Sequence, residues 1–427
     1  MSYRSAKKKK IRRSKSLYGN RRREKRNHII ALVITLVVAG GLVFFGYSIG
    51  KPIIDYIRND EYNSVTDGEV WTPPEETVET TAPEVTEKPV KDEVTLSEFM
   101  AYELEPYNLT SLEALEIAVT KAEEEGYNAI CVTLKERGGY VYFGTEAELA
   151  HKNEEIIRST LPAKTIASKI KSHGMLAIAK ISTLHDNVAP FGEKASGYLF
   201  EGQTSSWYDN SVDNGGKPWL SPFSDITKTY ISQLAIEAEK ADFDAVICSD
   251  VVFPILRNSD IEYIGEIVRS PERYKALLDT VGIFEEIGKP TMLEVSAAKI
   301  LSGTEEVFRP SEISEETRII VELNLSELPQ SALIGGEKIN LSEMSVYDRT
   351  RAVLDEISGK CGDREIIPHI SSAGVSEEDF NMAKKAVSDM NFTCSVSDGV
   401  QVAPAATTVA TETPPETATV PETVPQT

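Results

Sequence analysis

The 427-residue sequence predicts an α/β protein whose main body is a (β/α)8 TIM barrel. Three observations carry the prediction. Eight short apolar runs follow one another, amphipathic stretches separate most of them, and the alternation fills about 300 residues. That length suits one large core and is near the ~250 residues usual for such a barrel.

The strand-like runs are SEFMAYEL (97–104), NAICVTLK (128–135), MLAIAKIS (175–182), DAVICS (244–249), PTMLEVS (290–296), RIIVELN (318–324), REIIPHIS (364–371) and FTCSVSD (392–398). Between them, LEALEIAVTKAEEE sets Leu112, Leu115, Val119 and Ala122 on one stripe, the three-and-four spacing of a helix. ITKTYISQLAIEAEKA, SPERYKALLDTVGIFEEI, YDRTRAVLDEIS and SEEDFNMAKKAVSDM read the same way. Gly126, Gly174 and Gly288 each stand just past a helix, where a left-handed C-cap is wanted. The fifth connection is the thinnest, with only Ala297 to Ile300 and SEISEE to offer. Strands alternating with helices argue for a parallel sheet, and a count of eight favours closure over an open sheet.

The flanks differ in kind. Residues 1–27 hold thirteen Lys and Arg against one acid, Glu24, a basic cytoplasmic tail. The run 29–49 has no charge, and its 21 residues would cover ~30 Å as a helix, about one bilayer core. It exceeds the ~7–15 residues of a signal-peptide core, and FFGYSIGKP offers no A-x-A cleavage site. A transmembrane signal anchor is therefore expected over 28–50, with the basic side inside and the rest of the chain outside. Residues 51–95 and 401–427 are rich in Thr, Pro and Glu, and predict a disordered extracellular stalk and tail. The barrel is expected over 96–400. Removing the tail's +12 from the chain's −22 leaves the exterior part near −34, which repels nucleic acid and excludes it as a partner. Cys131, Cys248, Cys361 and Cys394 show no C-x-x-C or zinc spacing, and three lie in apolar runs, so free thiols are expected.

The stretches NAICVTLKERGGYVYF, IAKISTLHDNVA, WLSP with TYISQLAIEAEKADFDAV, and VVFP keep the order and spacing of one family over 128–254. They resemble the putative glycosyl hydrolase domain family of bacterial TIM barrels, and the resemblance fades beyond Pro254. It implies a carbohydrate-directed barrel with acids at its mouth. Three of the positions where that family carries an acid hold Thr133, Ser221 and Ser249 here, and its arginine before F-P is Val252. Lys180 and Asp186 match I-A-R-I-x-x-F-x-D with Lys for Arg, and an ammonium does not reproduce a guanidinium fork.

Glycoside cleavage needs two carboxyls, one to donate a proton and one to attack or activate water. Acids at predicted C-terminal strand ends are Glu103, Glu136, Asp186, Asp250, Glu294, Glu322 and Asp398. Asp250, Glu294 and Glu322 are the catalytic candidates. Strict strand alternation would aim Asp250 away from the mouth unless the strand has already ended. Glu294 and Glu322 need a partner or the polar mouth, and Lys135 and Lys180 are available as partners. Lys135, Lys180, Asp186, Trp207 and Trp219 are the substrate-binding candidates; the 184–222 loop also carries Phe191, Tyr198, Phe200 and Tyr208. No G-x-S-x-G, H-E-x-x-H, Walker loop or G-x-G-x-x-G occurs, so no metal or cofactor is expected. Two functions follow: a membrane-anchored extracellular hydrolase-like barrel acting on cell-wall or other polysaccharide, or an inactive barrel that binds glycan or a protein partner at the envelope.

Overall fold

The computed structural model describes residues 94–398. The basic tail, the anchor expected over 28–50, nearly all of the stalk, and the C-terminal tail lie outside the described residues. No helix among the described residues is long and apolar enough to cross a membrane.

Eight parallel strands close into a barrel. They are β1 (Phe99–Leu104), β2 (Ala129–Lys135), β3 (Leu176–Ser182), β4 (Ala245–Ser249), β5 (Thr291–Ser296), β6 (Arg318–Asn324), β9 (Ile366–Ser371) and β10 (Cys394–Asp398). β10 closes on β1, pairing Glu103 with Asp398. Every predicted run holds one of these strands, and each run ends on the residue where its strand ends. The helices between them are α1 (Leu112–Glu124), α2 (Ala163–Lys171), α3 (Asp225–Lys240), α4 (Lys275–Glu285), α5 (Ala297–Ser302), α6 (Val346–Cys361) and α7 (Glu377–Asp389), besides shorter turns. Local chemistry starts several of them. Ser111, Ser345 and Ser376 each accept an N–H three residues on, at 3.1 Å, which satisfies a donor the helix leaves free.

Two expectations need correction. Gly126 and Gly174 do take left-handed φ, at +88° and +73°, but Gly288 does not. Its N–H donates to Glu239 Oε1 at 2.9 Å, and a Cβ there would lie 2.7 Å from that oxygen. The glycine stands at a close approach to the flexible end of Glu239, not at a left-handed cap. The hairpin of β7 (Ser331–Ile334) and β8 (Glu337–Asn340) was not anticipated; Gly335 and Gly336 turn it with φ of +59° and +84°. The four cysteines are free and buried, as expected.

Period two explains the barrel interior. Phe99, Ala101, Ala129, Cys131, Ile178, Ala245, Ile247, Met292, Ile320, Ile367, Cys394 and Val396 pack inside it as one apolar cluster. Two residues further along seven of the eight strands, the same inward row becomes Glu103, Thr133, Lys180, Ser249, Glu294, Glu322 and His369. On β10 it becomes Asp398. The apolar layers therefore end in one polar layer at the C-terminal rim.

Candidate functional site

That rim encloses a cavity of about 340 Å³, lined among others by Glu103, Thr133, Arg137, Lys180, Ser249, Asp250, Glu294, Glu322 and Asp398. Its floor is a closed ring of four charges. Glu103, Lys180, Glu294 and His369 come from β1, β3, β5 and β9, alternate strands of the barrel, which is how one layer of such a barrel is built. Lys180 Nζ reaches Glu103 at 3.0 Å and Glu294 at 2.9 Å. His369 Nδ1 donates to Glu294 at 2.7 Å, and its Nε2 lies 3.3 Å from Glu103. Acid and base alternate around the ring.

The titration of these groups follows from the geometry. Burial and the Lys180 ammonium push the His369 pKa down, but Glu103, Asp398 and Glu294 outweigh them and hold it well above the ordinary histidine range. The ring is then imidazolium and donates from both nitrogens. Burial pushes Glu294 up, yet Lys180 and His369 prevail and hold it well below the usual carboxylate range. Asp398 is lowered in the same way by His369 and by the Ser372 N–H, against burial. It accepts from His369 Nε2 at 2.8 Å, Ser371 Oγ at 3.0 Å and Ser372 N at 2.9 Å. Glu103, His369 and Asp398 offer ligand atoms within 4.8 Å of one another, the spacing of a metal site.

Above the floor lie groups of the other four strands, with Asp250 and Arg137 over them. Asp250 follows the end of β4 with φ +52°, a left-handed conformation that Asp tolerates better than most residues. That turn reverses the outward aim which alternation would give it, and brings its carboxylate into the mouth. Ser182 Oγ donates to Oδ2 at 2.7 Å and Arg137 Nε to Oδ1 at 2.8 Å. The same guanidinium reaches Glu322 at 3.8 Å. Glu322 is 18% exposed, and no close hydrogen bond holds its carboxyl among the described residues. Burial and the neighbouring Glu294 raise its pKa, opposed by Arg137, Lys180 and His369. The two carboxyls on this guanidinium are held differently: Asp250 by an ion pair at 2.8 Å and the Ser182 hydroxyl, whereas Glu322 lies farther off and is pushed toward its protonated form.

The other sequence candidates sit as follows. Lys135 leaves the inward row because the register of β2 against β3 shifts between Thr133 and Lys135. Its ammonium is fully buried, 3.1 Å from Asp186 Oδ2 and 2.8 Å from the Ser182 carbonyl. Asp186 Oδ1 caps Val188 and Ala189. Lys135 borders the cavity, and this pair fixes the loops around the mouth. Trp207 is buried, edge-on to Tyr198 at 5.7 Å. Trp219 stacks on His185 at 4.0 Å and donates to Asp209 at 3.1 Å. Burial lowers the His185 pKa to about 4, so that ring is neutral at neutral pH. The structure thus gathers Lys180, Asp250, Glu294 and Glu322 at one rim, and holds Lys135, Asp186, Trp207 and Trp219 in its supports. His369 and Arg137 were not singled out by sequence. His369 had a usable signal, since it lies on the inward row of a predicted strand; Arg137, in a loop, had none.

With the geometry in place, comparison with known proteins becomes informative. Residues 104–299 match the family model described as a putative glycosyl hydrolase domain. The match contains the whole resemblance read over 128–254 and continues past Pro254 into α5. No curated protein matches the chain in sequence. Among solved structures, the PgaB (BpsB) glycoside hydrolase domain from Bordetella bronchiseptica is 13% identical with a TM-score of 0.47, over 70% of this chain and 93% of its own. A hypothetical protein from Ruminiclostridium thermocellum is 18% identical with a TM-score of 0.38, over 45% of this chain and 96% of its own. The GH20 exo-β-N-acetylglucosaminidase from Vibrio harveyi is 11% identical with a TM-score of 0.40, over 65% of this chain and 41% of its own. These likenesses are of fold alone. Beside and within the matched residues, Thr133 donates to Glu103 at 2.9 Å and Ser249 lines the cavity with a buried, unpartnered hydroxyl.

Proposed function

We propose that this protein is a membrane-anchored, extracellular hydrolase-like barrel that acts on cell-wall or other polysaccharide at its C-terminal rim. One observation carries the reading: Glu322 and Asp250 share a guanidinium at the mouth, Asp250 at 2.8 Å and Glu322 at 3.8 Å, and burial beside Glu294 pushes Glu322 toward its protonated form. Glycoside cleavage needs one carboxyl to donate a proton and a second to attack or to activate water. Glu322 gives its proton to the glycosidic oxygen as the C1–O bond breaks. Asp250 either bonds C1 directly, giving an ester that water then cleaves at C1 as its proton passes to Glu322, or takes a proton from the water that attacks C1 and releases it to solvent. Glu322 recovers its proton from water by the end of the cycle. Arg137, 49% exposed, gives way to the sugar while its Nε holds Asp250 in position. The charge-balanced floor beneath excludes water and fixes the upper layer without taking part in the proton transfers.

The anchor expected over 28–50 and the acidic stalk support an extracellular setting. A second reading, a barrel that binds glycan or a protein partner without cutting it, is favoured by Thr133, Ser221 and Ser249 at positions where the family carries acids. The full-length protein, screened against peptidoglycan and a glycan array with retention and product release scored separately, distinguishes them. Release of reducing ends supports the first reading. Retention without release supports the second, and neither would leave a protein partner.

A further inference from the structure

The loops that follow β3 and β4 build a hydrophobic cluster separate from those of the barrel. Tyr198, Trp207, Ile264 and Val268 form its centre, with Phe200, Trp219, Phe223 and Phe253 packed around them. The loop on this base is rigid by construction. Asp209 N donates to the Lys217 carbonyl at 3.0 Å, and Lys217 N donates back to Asp209 Oδ1 at 2.7 Å. Gly216 passes so close that a Cβ would lie 1.9 Å from the Asn210 carbonyl oxygen. What this base presents outward is aromatic. Phe191 is 58% exposed and pairs with Tyr208 at 6.2 Å; Tyr263 is 59% exposed and pairs edge-on with Phe200, also at 6.2 Å. The two tryptophans face inward and hold the loop, while smaller rings face the solvent. The platform is connected to the mouth. Trp219 stacks on His185, whose carbonyl accepts the Gly138 N–H at 2.8 Å, and Gly138 adjoins Arg137 over the cavity.

Flat rings with polar groups at their edges suit the apolar face of a pyranose. A preorganised platform also spares a ligand the cost of ordering it. The acidic exterior disfavours an anionic chain. We infer that Phe191 and Tyr208, with Phe200 and Tyr263 on the same loop cluster, form a second glycan subsite. It takes further units of a neutral polysaccharide whose other units occupy the mouth. This deepens the polysaccharide reading above and rests on it.

The test uses the full-length protein in a Glu322→Gln background, which keeps the chains uncut. Cello-oligosaccharides and chito-oligosaccharides of two to six units are titrated calorimetrically. The expected result is an affinity that rises about tenfold or more with length for at least one series. In Phe191→Ala/Tyr208→Ala and in Tyr263→Ala that rise is lost, while disaccharide affinity and thermal midpoint stay unchanged. Length dependence that survives in both variants overturns the inference, as does affinity independent of length. If neither series binds, the inference also falls. The polysaccharide reading is then judged separately by the glycan panel, so the two failures are distinguishable.

Discussion

At the scale of single residues, the mouth divides into groups that hold and groups that can react. Lys180 holds. Replacing it by Met leaves Glu103 and Glu294 with His369 as the one remaining cation of the ring, and removing one partner of a buried pair costs about 3–5 kcal/mol. A urea titration of Lys180→Met should show that loss. The ring also sets a pH dependence. Glu294 and Asp398 have lowered folded pKa values, so their contribution is present above the unfolded carboxylate value of about 4 and lost as pH falls through the folded value. His369 is raised, so its contribution is full below the unfolded value of about 6.5 and lost as pH rises through the folded one. The stability attributable to the ring therefore peaks between about 4.5 and 6.5. His369→Gln should flatten that peak relative to wild type, and an unchanged stability–pH curve would refute the assignment. Asp250 is the group proposed to react, and its left-handed backbone gives a clean variant. Asn tolerates that φ, so Asp250→Asn should keep folding stability within about 0.5 kcal/mol of wild type while abolishing product release.

At the scale of elements, what the sequence made legible followed from periodicity. The inward row of eight predicted strands already contained Glu103, Lys180, Glu294, Glu322, His369 and Asp398, and the C-terminal strand ends were found to the residue. His369 leaves no mark among its sequence neighbours, because its partners come from β1, β5 and β10. Trp207 was singled out for its chemistry, but a large ring in a long loop is also the best anchor available, and burial settled its place. Asp250 obeyed alternation only up to the end of β4; one positive φ then reversed it. Irregular backbone of this kind leaves little trace in residue type. The Gly138–Gly139 turn is a second case. Gly139 has φ +108°, and a Cβ there would sit 2.1 Å from Asp186 Oδ1. Gly139→Ala should cost about 1–3 kcal/mol in backbone strain alone, with a further loss from displacing Asp186. It should also lower product release by moving Arg137. A variant as stable as wild type would show that the turn relaxes freely.

At the scale of the whole molecule, the barrel is an apolar cylinder capped by one polar layer, and its acid-rich exterior suits neutral rather than anionic partners. The expected anchor makes its own prediction. Full-length protein should fractionate with membranes and resist carbonate extraction, while deletion of residues 1–50 should release a folded barrel. A full-length chain found wholly in the soluble fraction would remove the envelope setting without touching the site.

The most direct measurement of the central claim is the pH dependence of product release from the polysaccharide retained in the screen, for wild type and Glu322→Gln. The account predicts that wild-type activity falls on the alkaline side as Glu322 loses its proton, with a midpoint above the ordinary carboxylate value of about 4.3. In Glu322→Gln that limb should vanish along with all but a trace of activity. Equal activity in the two proteins, or firm retention with no release by wild type at any pH, would contradict it.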